Sequence, residues 1–293
     1  MNIFFLVNPV AGMQTILSDI ADVMQVFLSA GHKVEMTKTK ADVSVKELLE
    51  TNLTGEEDMI ICSGGDGTLN ETISALLQMG KDIPIGYLPA GSTNDFSMGL
   101  NISKWPIEAA QNILNGTEKR LDIGKFEEKY FVYVASFGAF TQASYQTTQD
   151  MKNVIGHLAY LIECMKEIQN LKSYHVRVET ETEVFEGEYL FGAVTNAVSL
   201  GGVIRLTDMG TDFGDGEFEL ILVKEPRDLI ELSRVLIALM AGNTTDELIV
   251  KAKGRKFKFS CDEAIPWSLD GEYAQGNEQI EIENIHGAYR LIC

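Results

Sequence analysis

The stretch Ile60–Glu71, IICSGGDGTLNE, limits what this chain can fold into more than any other. Asp58–Cys62 is a short, mostly apolar run that reads as a buried strand. Ser63-Gly-Gly-Asp-Gly67 follows, and only the serine and aspartate side chains there can obstruct a ligand. Thr68 opens an amphipathic segment, to about Met79, with Leu69, Ile73, Leu76 and Leu77 at helical spacing. Strand, glycine turn and helix N-terminus in that order make an anion site, because backbone N–H groups can approach phosphate oxygens and the helix dipole favours negative charge. A glycine turn alone is explained equally well as a chain reversal in a parallel sheet. Asp66 tips the balance. A carboxylate beside phosphates is repulsive unless a cation lies between them, which points to a magnesium-bound nucleotide. The stretch has neither the lysine of a P-loop nor the G-x-G-x-x-G spacing of a dinucleotide fingerprint.

The residues around this stretch alternate strands with helices. Ile3–Val7 reads as a strand running into the turn Asn8–Gly12. Apolar residues from Ile16 to Leu28 recur at helical spacing, with Gly31 placed to end the helix. Lys33–Thr37, Val43–Leu53, Ile83–Leu88 and Pro106–Leu114 follow as strand, helix, strand and helix. Such alternation implies a parallel sheet covered on both faces, with ligands beyond the carboxyl ends of its strands. Those ends are Asn8–Gly12, Ser63–Thr68 and Pro89–Asp95, and all three carry glycine.

SGGDGTLNE followed by PAGSTNDF, after an opening NPVAG, closely resembles the diacylglycerol-kinase catalytic domain of soluble bacterial lipid kinases. NAD kinases and phosphofructokinases share the GGDG-type loop, but Asn94-Asp95-Phe96 is similar to the lipid-kinase branch. The resemblance implies ATP and Mg2+. It implies nucleotide contacts from Asn8, Pro9, Gly12, Thr39, Gly64, Gly65, Asp66, Gly67, Thr68, Asn70, Glu71, Gly91, Ser92, Asn94 and Asp95, with Asp66 placing magnesium on the phosphates.

From Arg120 the pattern changes. Leu121–Phe126, Tyr130–Ser136, Tyr174–Thr180, Val184–Val194, Glu217–Val223, Leu248–Ala252, Lys256–Ser260 and Gln279–Ile285 read as strands. Many alternate apolar with polar residues, which suggests an antiparallel sandwich. Helices are expected at Ala159–Gln169 and Leu229–Met240. The expectation is therefore a two-domain α/β protein: residues 1–122 a nucleotide-binding parallel-sheet domain, residues 123–293 a mainly antiparallel β-sandwich that binds the acceptor. Nucleotide and acceptor would meet in the cleft between them.

Two turns in this half could carry chemistry. Asp212-Phe-Gly-Asp-Gly-Glu217 can present oxygens to a hard cation, though Asp-Gly before a strand is usually only a turn. The resemblance implies a structural magnesium here, held by Asp212, Asp215 and the backbone carbonyl of Glu217. Asp270-Gly271, within Trp267–Glu272, would likewise pass for a hairpin turn. There the resemblance implies a general base at Asp270 and a nucleotide contact at Glu272. Phosphoryl transfer needs a cation, a phosphate cradle and an acceptor for the hydroxyl proton, and these residues would supply them.

Composition narrows the partners. The 293 residues are 45% hydrophobic and 23% charged, ample for a core, and the formal charge of −19 argues against a nucleic-acid partner. The four cysteines show no zinc or disulfide spacing, which fits a cytoplasmic protein. No stretch reads as a signal peptide or a transmembrane segment, so a lipid substrate would be met peripherally, at the inner face of a membrane. Lys251, Lys253, Arg255, Lys256 and Lys258 form a basic cluster that suits either an anionic lipid surface or the protection of an edge strand; the second is favoured. Whether the chain forms a homodimer is left open.

Three departures from the family's pattern remove positive charge. Met13, Met98 and Glu163 stand where related enzymes carry basic residues, and Lys152, Lys166, Lys172 and Arg205 are candidate substitutes. Ala11 replaces the usual serine and Ser92 the usual threonine. Three functions follow: a diacylglycerol kinase, a kinase for another lipid alcohol, or a non-catalytic nucleotide-binding member of the family. Asp66, Asp270 and Glu272 favour a working kinase, because a binding module has no need of a base.

Overall fold

The computed structural model describes residues 1–12, 16–92, 94–139, 141, 172–202 and 204–293. They form two compact units, Met1–Ile123 with Ile285–Cys293, and Gly124–Asn284.

The first unit is a parallel sheet between helices. Strands β1 (Asn2–Val7), β2 (Lys33–Lys38), β3 (Met59–Gly64) and β4 (Ile85–Pro89) are ordered β4-β3-β1-β2, all parallel. β3 and β4 are wholly buried, and β1 nearly so, hence their unbroken apolar sequences. β2 is the edge and carries Lys33 and Lys38 at its exposed ends. Helices α1 (Ile16–Ser29) and α5 (Pro106–Asn115) pack together, and Val23, Phe27, Ala109, Ala110 and Ile113 share a core with Ile3, Phe5, Val7, Met59 and Ile61. Helix α2 (Val45–Asn52) packs on α3 (Asp66–Gln78). Ser44 caps α2 by accepting from the Glu47 amide at 3.2 Å.

Helix α3 begins at Asp66, two residues before the position that periodicity gives, because the glycine turn already has helical backbone. A short helix, α4 (Asp95–Gly99), was not legible: five residues show no period. The C-terminal segment brings the larger correction. Gln279–Ile292 is one strand, β17, rather than a strand ending at Ile285, and its last residues add to the first unit beside β4, pairing Leu291 with Ile85 in parallel. The chain therefore passes between the units twice, in β5 (Glu118–Phe126) and in β17, where the sequence alone suggests one boundary near residue 122.

The second unit is an antiparallel β-sandwich. β9 (Val184–Thr195) is its longest shared element: its first half pairs with β8 (Tyr174–Glu179), and its second half with β7 (Val134–Gly138) and β12 (Phe218–Lys224). β13 (Ile249–Gly254) adds to β12, and β14 (Lys256–Cys261) lies between β8 and β17. Tyr130–Ser136, expected as one strand, is split into β6 (Lys129–Phe131) and β7. Four short strands were missed: β10 (Ser199–Leu200), β11 (Ile204–Arg205), β15 (Trp267–Leu269) and β16 (Glu272–Ala274). Helix α6 (Leu229–Met240) is where the sequence puts it, capped by Asp228 on the Ile230 and Glu231 amides. The core is aromatic, with Phe137, Phe259 and Trp267 in mutual contact at centroid distances of 5.0–6.1 Å. The expected helix Ala159–Gln169, with Glu163, Lys152 and Lys166, lies outside the described residues, as does Met13. Among the described residues no helix is long and apolar enough to cross a membrane.

Candidate functional site

In the first unit the three glycine-bearing turns at the carboxyl ends of β1, β3 and β4 are fastened into one surface. Asn8 donates from Nδ2 to Thr68 Oγ1 at 2.8 Å, tying the first turn to the start of α3. Gly12 has φ +52, and a Cβ there would lie 2.3 Å from the Ala90 carbonyl oxygen, so the first turn rests directly on the third. The second and third turns meet glycine on glycine: a Cβ on Gly91 would come within 2.7 Å of Gly65 Cα. Ala90 donates to the Gly64 carbonyl at 2.8 Å, and Thr39 to the Val7 carbonyl at 2.8 Å, which places Thr39 beside the first turn. Pro9 is half-buried and Ser92 exposed. Asn70 and Glu71 lie on the next turn of α3, with Glu71 exposed.

Asp66 sits in the first turn of α3, where its charge suits the dipole. Its Oδ2 accepts from the Asp95 amide at 3.0 Å, and its Oδ1 lies 3.4 Å from the Tyr87 hydroxyl, which also reaches the Gly64 carbonyl at 3.1 Å. The carboxylate thus anchors the third turn to the second. Asn94, in left-handed conformation at φ +55, closes that turn reciprocally, accepting from the Gly91 amide and donating to the Gly91 carbonyl. Asp95 and Phe96 are buried beneath it, Phe96 against Tyr87 at 6.3 Å. Tyr87 is a site residue that sequence reasoning missed, because a tyrosine in an apolar strand reads as core. Met98, one of the lost cations, is exposed at the surface of α4.

In the second unit Asp270 and Gly271, with φ +49 and +90, make the two-residue turn between β15 and β16. The hairpin reading of this sequence is correct, and the side chain does something more. Asp270 is 7% exposed, and its carboxylate accepts three backbone amides: Val132 on Oδ2 at 2.7 Å, Tyr133 and Val134 on Oδ1 at 3.0 Å each. Burial pushes its pKa up to about 6, against the pull of those three donors, which favour the ionised form. One lone pair of Oδ2 has no donor among these three. The Val132–Val134 amides carry no sequence signal and could not have been read. Glu272 follows on β16 and is exposed.

In the Asp212–Glu217 turn each aspartate caps its own backbone: Asp212 Oδ1 accepts from the Gly214 amide at 3.1 Å and Asp215 Oδ1 from the Glu217 amide at 3.0 Å. Among the described residues no group of three or more acidic, histidine or cysteine side chains could hold a metal ion. The implied set of Asp212, Asp215 and the Glu217 carbonyl would offer two side chains and one backbone oxygen, and a lysine, Lys253, stands 3.9 Å from Asp215 Oδ2. Of the candidate substitutes for the lost cations, Lys172 is engaged by Glu263 and the Tyr174 ring, and Arg205 is exposed on β11.

Comparison with known proteins agrees with the fold. Residues 2–126 match the diacylglycerol kinase catalytic domain, and residues 134–293 match the YegS C-terminal NAD kinase beta sandwich-like domain. The diacylglycerol kinase of Bacillus subtilis (strain 168) is 31% identical over 268 residues, covering 91% of this chain and 88% of that one. Two solved structures from Bacillus anthracis str. Sterne share the fold, with TM-scores of 0.84 and 0.77 at 22% and 19% identity. They cover 99% of this chain, and 94% and 96% of theirs; the second is of a diacylglycerol kinase. Fold and matches together define a two-domain protein of the kinase class. The chain belongs to the diacylglycerol kinase family.

Proposed function

We propose that this protein is an ATP- and Mg2+-dependent lipid kinase that transfers the γ-phosphoryl group of ATP to the free hydroxyl of diacylglycerol, giving a phosphatidate-type product. The observation that carries the reading is the fastening of the three strand-end turns around Asp66 at the start of α3. Glycines keep side chains off the turn backbones, so that phosphate oxygens could approach them, and Asp66 is the carboxylate that would hold a cation between itself and the nucleotide. When bound, that cation would neutralise charge on the transferring group. In this reading Asn8, Gly64, Gly65, Gly67, Thr68 and Gly91 form the cradle, with Thr39, Asn70 and Ser92 at its margins, and Glu272 is a further nucleotide contact.

Asp270 is the base in this reading. Above its pKa of about 6 it is a carboxylate whose Oδ2 keeps a lone pair for the acceptor proton. As the acceptor oxygen bonds to phosphorus, its O–H proton passes to Asp270 and the P–O bond to the leaving ADP breaks. Because diacylglycerol resides in a bilayer, the protein would work peripherally on the cytoplasmic face of a membrane. The exposed Met98, where related enzymes carry arginine, favours one second reading: the same reaction on a different lipid alcohol.

Transfer of label from ATP to diacylglycerol in mixed micelles with magnesium tests the proposal, alongside Asp270→Asn. The wild type is expected to phosphorylate the lipid, and the variant to lose roughly 10²-fold or more in kcat while still binding ATP. Asparagine tolerates the left-handed backbone at this position, so the hairpin should persist. No transfer by the wild type despite ATP binding would remove diacylglycerol as substrate. Joint loss of binding and turnover in the variant would remove the base role.

A further inference from the structure

The residue facing the Asp212–Glu217 turn is a cation already. Lys253 on β13 lies opposite Glu219 on β12 in the antiparallel register, and its ammonium contacts Glu219 Oε1 at 3.0 Å. The same Nζ donates to the Gly210 carbonyl at 3.1 Å and stands 3.9 Å from Asp215 Oδ2. Three oxygens from three positions along Gly210–Glu219 thus converge on one positive charge. Glu219 is 1% exposed and sits in a strand, FELILVK, that is apolar apart from it and the exposed Lys224 at its end. A carboxylate so buried is costly unless a charge partner lies against it. Burial raises its pKa, and Lys253 opposes that rise. Lys251, two residues earlier on the same face of β13, reaches Thr244 Oγ1 at 2.9 Å and Asp208 Oδ2 at 3.9 Å. The lysines of β13 therefore pin the segment between β11 and β12 to the sheet.

We infer that Lys253 is the built-in structural cation of this turn, so that the Gly210–Glu219 segment is held by the protein's own ammonium group and needs no metal ion. The family resemblance put a magnesium at this turn; in this chain the charge is supplied covalently. The inference concerns folding of the second unit and is independent of the phosphoryl-transfer reading.

Thermal unfolding of the full chain without nucleotide, in EDTA and in millimolar MgCl2, tests it through Lys253→Met and the double variant Glu219→Gln/Lys253→Met. The wild type should melt at the same temperature in both buffers. Lys253→Met, which leaves Glu219 buried without its partner, should melt roughly 5 °C lower or more in EDTA. It should recover part of that loss in MgCl2, because Gly210 O, Asp215 and Glu219 then face a vacant cation position. The double variant should melt higher than Lys253→Met in EDTA and be indifferent to magnesium; if Lys253→Met does not fold, the wild type and the double variant still decide the matter. A wild type that loses stability in EDTA and regains it with magnesium would overturn the inference, since a metal would then be holding the turn. So would a Lys253→Met variant that melts like the wild type or gains nothing from magnesium, and so would a double variant that magnesium stabilises. Lipid phosphorylation is a separate readout, so loss of activity in any of these proteins bears only on the proposed function.

Discussion

At the scale of the residue, Asp270 is caught between two opposed effects. Burial favours the neutral acid, while three amide donors favour the carboxylate, and burial wins by enough to raise the pKa from 3.8 to about 6. A raised acid pKa means that the folded protein binds the proton more tightly than the unfolded chain does. Stability should therefore fall as pH rises from about 4 to about 6, by about 3 kcal/mol in all, and stay at the lower level above. The gap in denaturant midpoint between the wild type and Asp270→Asn should change across that range, since other titrating groups such as Glu219 contribute alike to both. The same pKa predicts the rate: as a base, Asp270 should lose activity below about pH 6, close to tenfold per unit. A kcat/KM flat from pH 5 to 7 would be incompatible with it. The sequence showed Asp270-Gly271 as a turn, since both residues take positive φ there. It could not show the burial, which depends on strands distant in the chain.

At the scale of the element, the proposed phosphate cradle depends on two glycines for different reasons. Gly91 is needed by the fold: a Cβ would meet Gly65 Cα at 2.7 Å and Asn94 Oδ1 at 2.6 Å. Gly67 is not, since a Cβ there meets nothing within 4 Å in the opening turn of α3. Gly91→Ala should destabilise the protein by about 1–3 kcal/mol and raise the KM for ATP at least tenfold. Gly67→Ala should stabilise the unliganded protein by about 0.5–1 kcal/mol, alanine being the better helix former, yet still weaken ATP binding. Calorimetry on both variants separates the effects, and unchanged ATP affinity in Gly67→Ala would mean that phosphates do not approach that backbone. The glycines and their spacing were legible in the sequence. Tyr87 was not, because its hydroxyl reaches the Gly64 carbonyl and Asp66 across strands, which no local pattern records.

At the scale of the whole molecule, the first unit is completed by the end of the chain. Leu291 pairs with Ile85, and Thr117 and Cys293 exchange backbone hydrogen bonds at 3.1 Å. Arg290 reaches Asp82 and Glu118, and the buried Asp122 accepts from the Gly287 amide at 2.8 Å and lies 2.9 Å from His286 Nδ1. A chain truncated after Asn284 loses this strand and leaves the edge of β4 unpaired. It should lose cooperative unfolding of the first unit and ATP binding with it, while a chain shortened only by Cys293 should keep both. Retention of ATP affinity by the longer truncation would show that the returning strand is dispensable.

Periodicity and glycine placement by themselves determined the order of the longer strands and helices, the parallel character of the first sheet, the antiparallel character of the second, and the three turns proposed as the cradle. These are local properties, set by side chains within a few residues of one another. Only the tertiary structure decided where β17 ends, which amides meet Asp270, and that Lys253 faces Glu219. Each of those depends on segments far apart in the chain brought together by strand register, and no pattern within a short window records which strand will lie beside another.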